Sequence, residues 1–189
     1  MTIESLDQLL LDQMQDVYDA EKQLVKALPK MAKAASSEDL REAIREHLEA
    51  TRGHVERLEK AFENLGTKAQ SKTCAGMKGL IEESEEVIGQ DASGEMKDLA
   101  IIAAAQRVEH YEIAAYGVIR TLAERLDNEE VAELFQETLG EEEAADERLT
   151  EVAEMLMEGV SQEEAMEEEE EGAEIEEETG TKTRRSSGM

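Results

Sequence analysis

The sequence has one proline, one cysteine, no tryptophan and only two phenylalanines among its 189 residues. The shortage of proline removes the strongest helix breaker, and the shortage of large aromatic residues leaves a core of aliphatic side chains. No alternating polar and apolar run bounded by turns predicts a β-strand. A single cysteine excludes an internal disulfide and is typical of a reducing compartment. These absences predict an all-α protein.

Basic residues are also scarce: 20 Lys and Arg stand against 48 Asp and Glu, which gives a formal net charge of −28. This charge repels nucleic acid phosphates and anionic membrane surfaces, so we expect neither nucleic acid nor membrane as a partner. It is compatible with a halophilic protein, because salt screening weakens the self-repulsion. No apolar run of about 18 residues and no signal-peptide core are present, so we expect a cytoplasmic protein.

Apolar periodicity and turn residues predict four long helices. They cover about residues 3–34, 38–65, 95–126 and 129–158. Short turns join the first two helices and the last two. Residues 67–94 form a long connection, and its middle part, 77–88, is predicted to be a short helix. Two short-looped hairpins joined by a long crossover are typical of a ferritin-like four-helix bundle.

The chain changes character after the fourth helix, which is predicted to end at Gly159. Glutamate occupies positions 167–171 and 176–178, with Gly, Ala and Thr nearby. Such a segment cannot bury a helix face, so residues 161–189 are predicted to form a disordered acidic tail. The bundle domain is predicted to cover residues 1–160.

Three carboxylates interrupt the apolar stripes of three predicted helices. Glu21, Glu109 and Glu142 each lie within roughly 40° of a stripe centre on a 3.6-residue wheel. An ionised carboxylate without a partner in a core costs several kcal/mol. Three of them on three helices indicate a common partner, and converging acidic residues in a helical bundle are typical of a metal site.

Neighbouring residues extend this metal site. Glu112 follows Glu109 by three residues, so both carboxylates point towards one side of their helix. Asp146 lies one turn after Glu142. The second helix has no acidic residue in its apolar stripe and offers only histidines beside it. The candidate metal ligands are Glu21, His47, His54, Glu109, Glu112, Glu142 and Asp146.

A purely structural explanation of these residues is also open. A glutamate at a bundle seam can be held by an arginine or tyrosine of a neighbouring helix, and His47 and His54 can be partly buried packing residues. The side chains available to hold the acids are Arg107, Arg120, Arg148, Tyr18 and Tyr116.

Several segments resemble the YciE/YciF family of ferritin-like proteins. They are residues 19–24, 47–51, 79–83, 104–114 and 137–139, of which 104–114 is the most specific. The similar segments lie between about residues 5 and 157 and follow one another in the same order as in the family. The resemblance implies a ferritin-like bundle, a dimer, a link to stress responses and a di-metal site like that of rubrerythrin. It implies no settled activity.

The resemblance also bears on single positions. Glu21, Glu109, Glu112 and Glu142 match acidic positions of the family. Relatives commonly have a second acid where this chain has Ala50, so the second helix lacks an obvious bridging carboxylate. His54 can compensate as a ligand.

A homodimer is expected for two reasons. The resemblance implies one, and the third helix carries a second apolar face with Ile101, Ala104, Val108 and Ala115. A helix that is apolar nearly all round has more apolar surface than one core face requires.

Two functions are compatible with these features. The first is an oxidoreductase with a carboxylate-bridged dinuclear iron or manganese site, which oxidises Fe(II) or handles O₂ or peroxide. The second is a non-catalytic structural or partner-binding bundle with an incomplete or vestigial metal site, in which the buried acids are paired with arginine or protonated.

Overall fold

The computed structural model describes the backbone of residues 3–92 and 94–186 and the side chains of residues 3–92 and 94–161. This part of the chain is helical and contains no strand. The helices are α1 (Leu6–Ala34), α2 (Glu38–Asn64), α3 (Ala75–Gly89), α4 (Gly94–Arg125) and α5 (Glu129–Ser186). The chain divides into two compact units, Met1–Val152 and Ala153–Met189. The all-α class and the predicted order of two hairpins around a crossover helix are confirmed.

Serine side chains cap the starts of α1 and α2. Ser5 Oγ accepts the Gln8 N–H at 3.2 Å. Ser37 Oγ accepts the Leu40 N–H at 3.4 Å. The first N–H groups of a helix have no partner within the helix, so such caps stabilise its start by about 1 kcal/mol.

The turns between the helices are fixed by polar contacts and by residues in the left-handed backbone conformation. The buried Asp98 carboxylate of α4 accepts the N–H groups of Ser36 and Ser37 at 2.8 and 2.6 Å, which ties α4 to the α1–α2 turn. Gly66, with a φ of 70°, follows α2. A glycine suits this position because it adopts the left-handed conformation without a steric penalty.

The core of the first unit is aliphatic, as predicted, with a small group of aromatic rings. Its most buried members, at most 1% exposed, include Leu10, Met14, Leu58, Phe62, Tyr116, Ile119 and Phe135. Burial of one such side chain contributes about 1.5–3 kcal/mol. These residues come from α1, α2, α4 and α5, so the core holds together the helices that carry the candidate ligands.

The crossover is attached to α1 and α4 around Cys74. The Cys74 N–H donates to the Asp19 carboxylate at 2.9 Å. Its Sγ lies 2.9 Å from the hydroxyl of Tyr111, and this hydroxyl lies 2.9 Å from Asp16 Oδ2, to which it donates. The same sulfur accepts the Met77 N–H and caps α3. A single buried thiol therefore positions the crossover helix.

The crossover helix covers the face of α4 that the sequence assigned to a dimer contact. Ile101, Ala104 and Val108 are only 1%, 4% and 3% exposed, and Ala115 is partly buried against the core. The helix is apolar nearly all round because it packs against both α1 and α3. The assignment of this face of α4 to a dimer contact was therefore wrong. The homodimer stays a prediction that depends on the family resemblance alone.

α5 has no end at Gly159, so this predicted boundary is wrong. One glycine inside a helix costs only about 1 kcal/mol, and the glutamates around it have a high helix propensity. The side chains of residues 162–189 lie outside the described residues, and the disordered tail at 161–189 stays a prediction. None of the helices among the described residues is long and apolar enough to cross a membrane.

The contact between α3 and Tyr111 gives a test of the crossover packing. A Cβ at Gly76 would stand 2.8 Å from Cε2 of Tyr111, whose ring is held through its hydroxyl. We expect Gly76→Ala to lower the free energy of unfolding by about 1–3 kcal/mol. Gly79→Ala is the matched control, because a Cβ there has nothing within 4 Å.

The Gly79→Ala variant should be unchanged or more stable by up to about 1 kcal/mol. Urea unfolding measures both variants. Equal effects of the two substitutions would show that the packing of Gly76 on Tyr111 does not hold the crossover helix.

Candidate metal centre

Six of the seven predicted ligands meet inside the bundle. α1 contributes one glutamate, α2 two histidines, α4 two glutamates and α5 one glutamate. Their exposed fractions are Glu21 0%, His47 8%, His54 0%, Glu109 2%, Glu112 0% and Glu142 0%. The wheel positions of the glutamates were therefore a correct guide to burial, and both histidines are buried with them.

Helical spacing explains why α2 and α4 each contribute two side chains. His47 and His54 are seven residues apart, which is two turns, so they project from the same side of α2. Thr51 lies between them and is fully buried, and its hydroxyl donates to the His47 carbonyl at 2.8 Å. Glu109 and Glu112 are separated by three residues and share one side of α4.

The six side chains form two groups that share Glu142. One group comprises His47, Glu109, Glu112 and Glu142, and the other comprises Glu21, His54 and Glu142. Within each group, one possible ligand atom per residue lies within 4.8 Å of the others. A carboxylate has two oxygen atoms, so a shared glutamate is suited to bridge two cations.

The shortest distances in both groups involve histidine nitrogens. His54 Nδ1 lies 3.0 Å from Glu142 Oε1 and 3.3 Å from Glu21 Oε1. His47 Nε2 lies 3.4 Å from Glu109 Oε2 and 3.8 Å from Glu142 Oε2. The histidine nitrogens and the carboxylate oxygens therefore converge on the same interior space.

Most polar atoms of this cluster have no hydrogen-bond partner. Nine of the ten buried side-chain nitrogen and oxygen atoms without one, among the described residues, belong to the six ligands. These nine atoms include both carboxylate oxygens of Glu112, both carboxylate oxygens of Glu142 and both ring nitrogens of His47. Buried polar groups are almost always paired, and each exception costs about 1–3 kcal/mol. A bound cation would satisfy these atoms together.

Arginine does not hold the buried acids in the described part of the chain. Only histidines come within 4.0 Å of the four carboxylates as basic partners. Arg120 pairs with Glu124, and Arg148 pairs with Glu151. Of the residues proposed to hold the acids, Tyr116 is the one that does, because its hydroxyl donates to Glu21.

Burial of the carboxylates dominates the electrostatics of the site when no cation is bound. Burial raises the pKa of Glu109 and of Glu112 well above the ordinary value, and the charge of neighbouring glutamates adds to this effect. Burial likewise raises the pKa of Glu21. A raised pKa favours the protonated form of these acids when no cation is present.

His54 and Glu142 form a charged pair inside this cluster. Burial opposes the protonation of His54, but contacts with Glu142 and Glu21 outweigh it and raise the pKa of His54 to about 10. Burial opposes the ionisation of Glu142, and contact with His54 outweighs it and lowers the pKa of Glu142. His47 differs, because burial lowers its pKa and leaves a neutral imidazole with a free lone pair.

Residues outside the cluster fix the orientation of His54. Its Nε2 lies 2.8 Å from Glu141 Oε2. Two Arg57 nitrogens donate to the two Glu141 oxygens at 2.9 and 2.8 Å, and Arg57 also donates to Thr138 at 2.8 Å. Because Nε2–H contacts Glu141, Nδ1 is the ring nitrogen that faces the buried carboxylates. A metal-binding histidine usually has this arrangement.

Neither Glu141 nor Arg57 was among the residues that the sequence analysis named as ligands or as partners of the buried acids. A signal was available in the spacing of Glu137 and Glu141, which are four residues apart and both contact Arg57. The wheel alone could not show which basic residue on another helix lies opposite them.

Asp146, the seventh predicted ligand, belongs to neither group. It is half-buried and accepts from Gln106 Nε2 at 3.2 Å. Its other oxygen lies 3.4 Å from His110 Nε2, and the His110 side chain is 69% exposed. Asp146 and His110 therefore form a polar contact at the edge of the site, and His110 lies at the surface.

The buried acids make the stability of the metal-free protein depend on pH. The folded state binds the Glu112 proton more tightly than the unfolded state, because burial raises its pKa. Stability therefore falls as pH rises from the ordinary carboxyl pKa towards the raised one. Glu112→Gln removes this loss, so we expect it to stabilise the chelator-treated protein by about 1–3 kcal/mol near pH 8.

The effect of Glu112→Gln should vanish at about pH 4, where the glutamate is protonated in both states. Urea unfolding at the two pH values measures the difference. Glu143→Gln, at an exposed position of α5, is the control and should have little effect at either pH. The same stabilisation at both pH values would show that Glu112 is not held as a buried acid.

The chain is similar to known proteins over most of its length. Residues 5–166 match a family described as "Domain of unknown function (DUF892)". Protein YciF of Escherichia coli (strain K12) is 46% identical over 153 residues, which cover 80% of this chain and 92% of that protein.

Solved structures agree with this similarity. The crystal structure of the E. coli stress protein YciF matches with a TM-score of 0.81 and 44% identity, covering 82% of this chain and 99% of that chain. YcfI from Rhodopseudomonas palustris matches with a TM-score of 0.77 and 41% identity, covering 78% and 94%. The predicted ferritin-like bundle and the resemblance are confirmed: the chain belongs to the DUF892 family, whose fold and sequence pattern it shares with YciF.

Proposed function

We propose that the cluster binds two divalent cations, iron or manganese, with Glu142 as the bridging ligand. The observation that carries this proposal is the set of nine buried nitrogen and oxygen atoms without hydrogen bonds. Dinuclear carboxylate sites in helical bundles use four glutamates and two histidines. The six buried side chains have this composition, and the charge of four carboxylates balances two divalent cations.

The distribution of the ligands differs from the usual one. The common pattern places a glutamate and a histidine on each of two helices. Here α2 supplies His47 and His54, while α4 supplies Glu109 and Glu112. The acid that relatives commonly have at position 50 is absent, yet the second carboxylate of α4 and the second histidine of α2 complete the donor set.

Each part of the site has a role towards the cations. Glu141 and Arg57 hold His54 so that Nδ1 faces the centre, and Tyr116 holds one oxygen of Glu21. Burial raises the pKa of Glu109 and Glu112 and favours their protonated forms, so metal binding releases protons and strengthens as pH rises. When bound, iron or manganese supplies one-electron redox chemistry for O₂ or peroxide.

We infer a stress-related oxidoreductase that oxidises Fe(II) or reduces peroxide. The similarity to the E. coli stress protein YciF supports the physiological part of this inference. A homodimer in the cytoplasm is part of the same proposal.

A non-catalytic structural bundle is the alternative function. It is favoured by the charged His54–Glu142 pair and the protonated acids of the metal-free site, which would suffice for a stable core without metal. The relative YcfI has itself been proposed to be a structural protein.

Replacing the shared glutamate distinguishes the two functions. We expect the protein to bind about two equivalents of Fe(II) or Mn(II), and Glu142→Gln to bind little, because both cations would lose a ligand. Metal should raise the melting temperature of the original protein and have little effect on this variant. Glu143→Gln, at the exposed neighbouring position, should behave like the original protein.

Metal analysis and thermal unfolding measure these effects. In the structural alternative, Glu142→Gln is near neutral, and Glu142→Leu can even stabilise the fold. Uptake of less than about one equivalent of metal, together with a higher melting temperature of the Leu variant, would contradict the proposed function.

The support of His54 by Glu141 gives a second prediction. Glu141→Gln weakens the contact that orients His54 and its pairing with Arg57, so metal affinity should fall by about 10–100-fold. Glu137→Gln is the matched control, because Glu137 also contacts Arg57 but is 61% exposed and does not touch His54. Competition with a chromogenic chelator measures both affinities. Equal losses would assign the effect to Arg57 rather than to the histidine.

A further inference from the structure

A pocket with a volume of about 290 Å³ ends at two of the proposed ligands, His47 and Glu109. Both side chains are buried, whereas Glu46 and Arg148, which also line the pocket, are exposed and half-buried. The pocket therefore connects the surface of the bundle with one of the two ligand groups. It is separate from the packed aromatic part of the core around Tyr116.

The walls of this pocket are mainly apolar. Five alanines line it, namely Ala43, Ala50, Ala105, Ala144 and Ala145. Short side chains at these positions leave free the space beside His47 that longer residues would fill. Apolar walls with a few convergent polar groups are typical of sites for small organic molecules.

The pocket is larger than O₂ or hydrogen peroxide requires. One water molecule accounts for about 30 Å³ of liquid, and a dry cavity of about 150 Å³ accommodates benzene. A volume of about 290 Å³ therefore has room for a molecule with an aromatic ring or a branched alkyl group.

The buried end of the pocket offers a polar anchor. Neither ring nitrogen of His47 has a hydrogen-bond partner among the described residues, and His47 is 8% exposed. Of the charged side chains that line the pocket, Glu46 is exposed, Glu141 pairs with Arg57 and Arg148 pairs with Glu151, so the buried end favours an uncharged ligand. The complementary ligand is a neutral molecule with an apolar body and an oxygen-containing head.

We propose that the pocket binds an organic hydroperoxide, ROOH, with its organic group on the alanine walls and its O–O group towards His47. This proposal rests on the proposed function. If the six side chains hold two Fe(II) ions, these would supply the two electrons that break the O–O bond, and two protons would be taken up. The products would be the alcohol ROH, water and two Fe(III) ions.

Binding to the metal-free protein tests the pocket separately from the metal. The probe is 2-phenyl-2-propanol, the alcohol formed from cumene hydroperoxide, and the readout is the NMR signals of the His47 ring. We expect saturable shifts of these signals. Ala144→Leu fills the pocket and should weaken binding at least about tenfold. Ala114→Leu, at an exposed position of α4 outside the pocket, should leave binding unchanged.

The rate of Fe(II) oxidation gives the second readout. The ratio of the rates with cumene hydroperoxide and with hydrogen peroxide should fall at least about tenfold in Ala144→Leu and stay constant in Ala114→Leu. Thermal unfolding shows whether Ala144→Leu is folded. If it is not, Ala50→Leu fills the same pocket from α2 and repeats the test.

Failure of this proposal can be told apart from failure of the metal site. Absence of alcohol binding to the metal-free protein, or a rate ratio that pocket filling does not change, would overturn the hydroperoxide proposal while leaving the metal centre intact. Alcohol binding that Ala144→Leu abolishes, in a protein that takes up no metal, would support the pocket and contradict the proposed function.

Discussion

Four buried carboxylates that have no lysine or arginine partner in the described part of the chain form the constraint on which the rest of the structure depends. Transferring such groups from water into a protein interior costs several kcal/mol each unless opposite charges or protons compensate. In the metal-free protein His54 compensates Glu142, and protons neutralise most of the rest. Two divalent cations would compensate the four carboxylate charges without protons. They would also bind the oxygen atoms that lack hydrogen bonds. The surrounding helices are stable enough to hold this cluster because an aliphatic and aromatic core packs beside it.

Helical periodicity was sufficient to predict the fold and most of the site. Glu21, Glu109 and Glu142 interrupt apolar stripes, and a residue in such a stripe is buried whatever its charge. The wheel gives a direction from one helix axis but no distance between helices. It could therefore identify buried acids but could not show that Glu142 belongs to both groups, or that Glu141 reaches both His54 and Arg57 across the bundle.

Two predictions failed for a related reason. The second apolar face of α4 was assigned to a dimer because the predicted crossover helix had no assigned position on the bundle. Packing of α3 on that face, with Cys74 and Tyr111 at its start, depends on contacts between residues far apart in sequence. The predicted end at Gly159 failed because one glycine is a weak stop signal among residues of high helix propensity.

Position 50 connects the composition of the metal site with access to it. Ala50 lines the same pocket as His47, and its short side chain leaves open space there. The missing carboxylate does not reduce the number of buried donors, because α2 contributes two histidines and α4 two glutamates. Six buried side chains with nitrogen or oxygen atoms thus meet beside an apolar pocket, which suits the proposed organic substrate.

Anomalous X-ray diffraction at the iron absorption edge, from crystals of protein loaded anaerobically with Fe(II), tests the central claim most directly. We predict two peaks about 3.5–4 Å apart, one on each side of the Glu142 carboxylate. One should lie near His47, Glu109 and Glu112, and the other near Glu21 and His54. The absence of any peak among these six side chains, in crystals grown with excess Fe(II), would contradict the claim that their unpaired atoms are metal ligands.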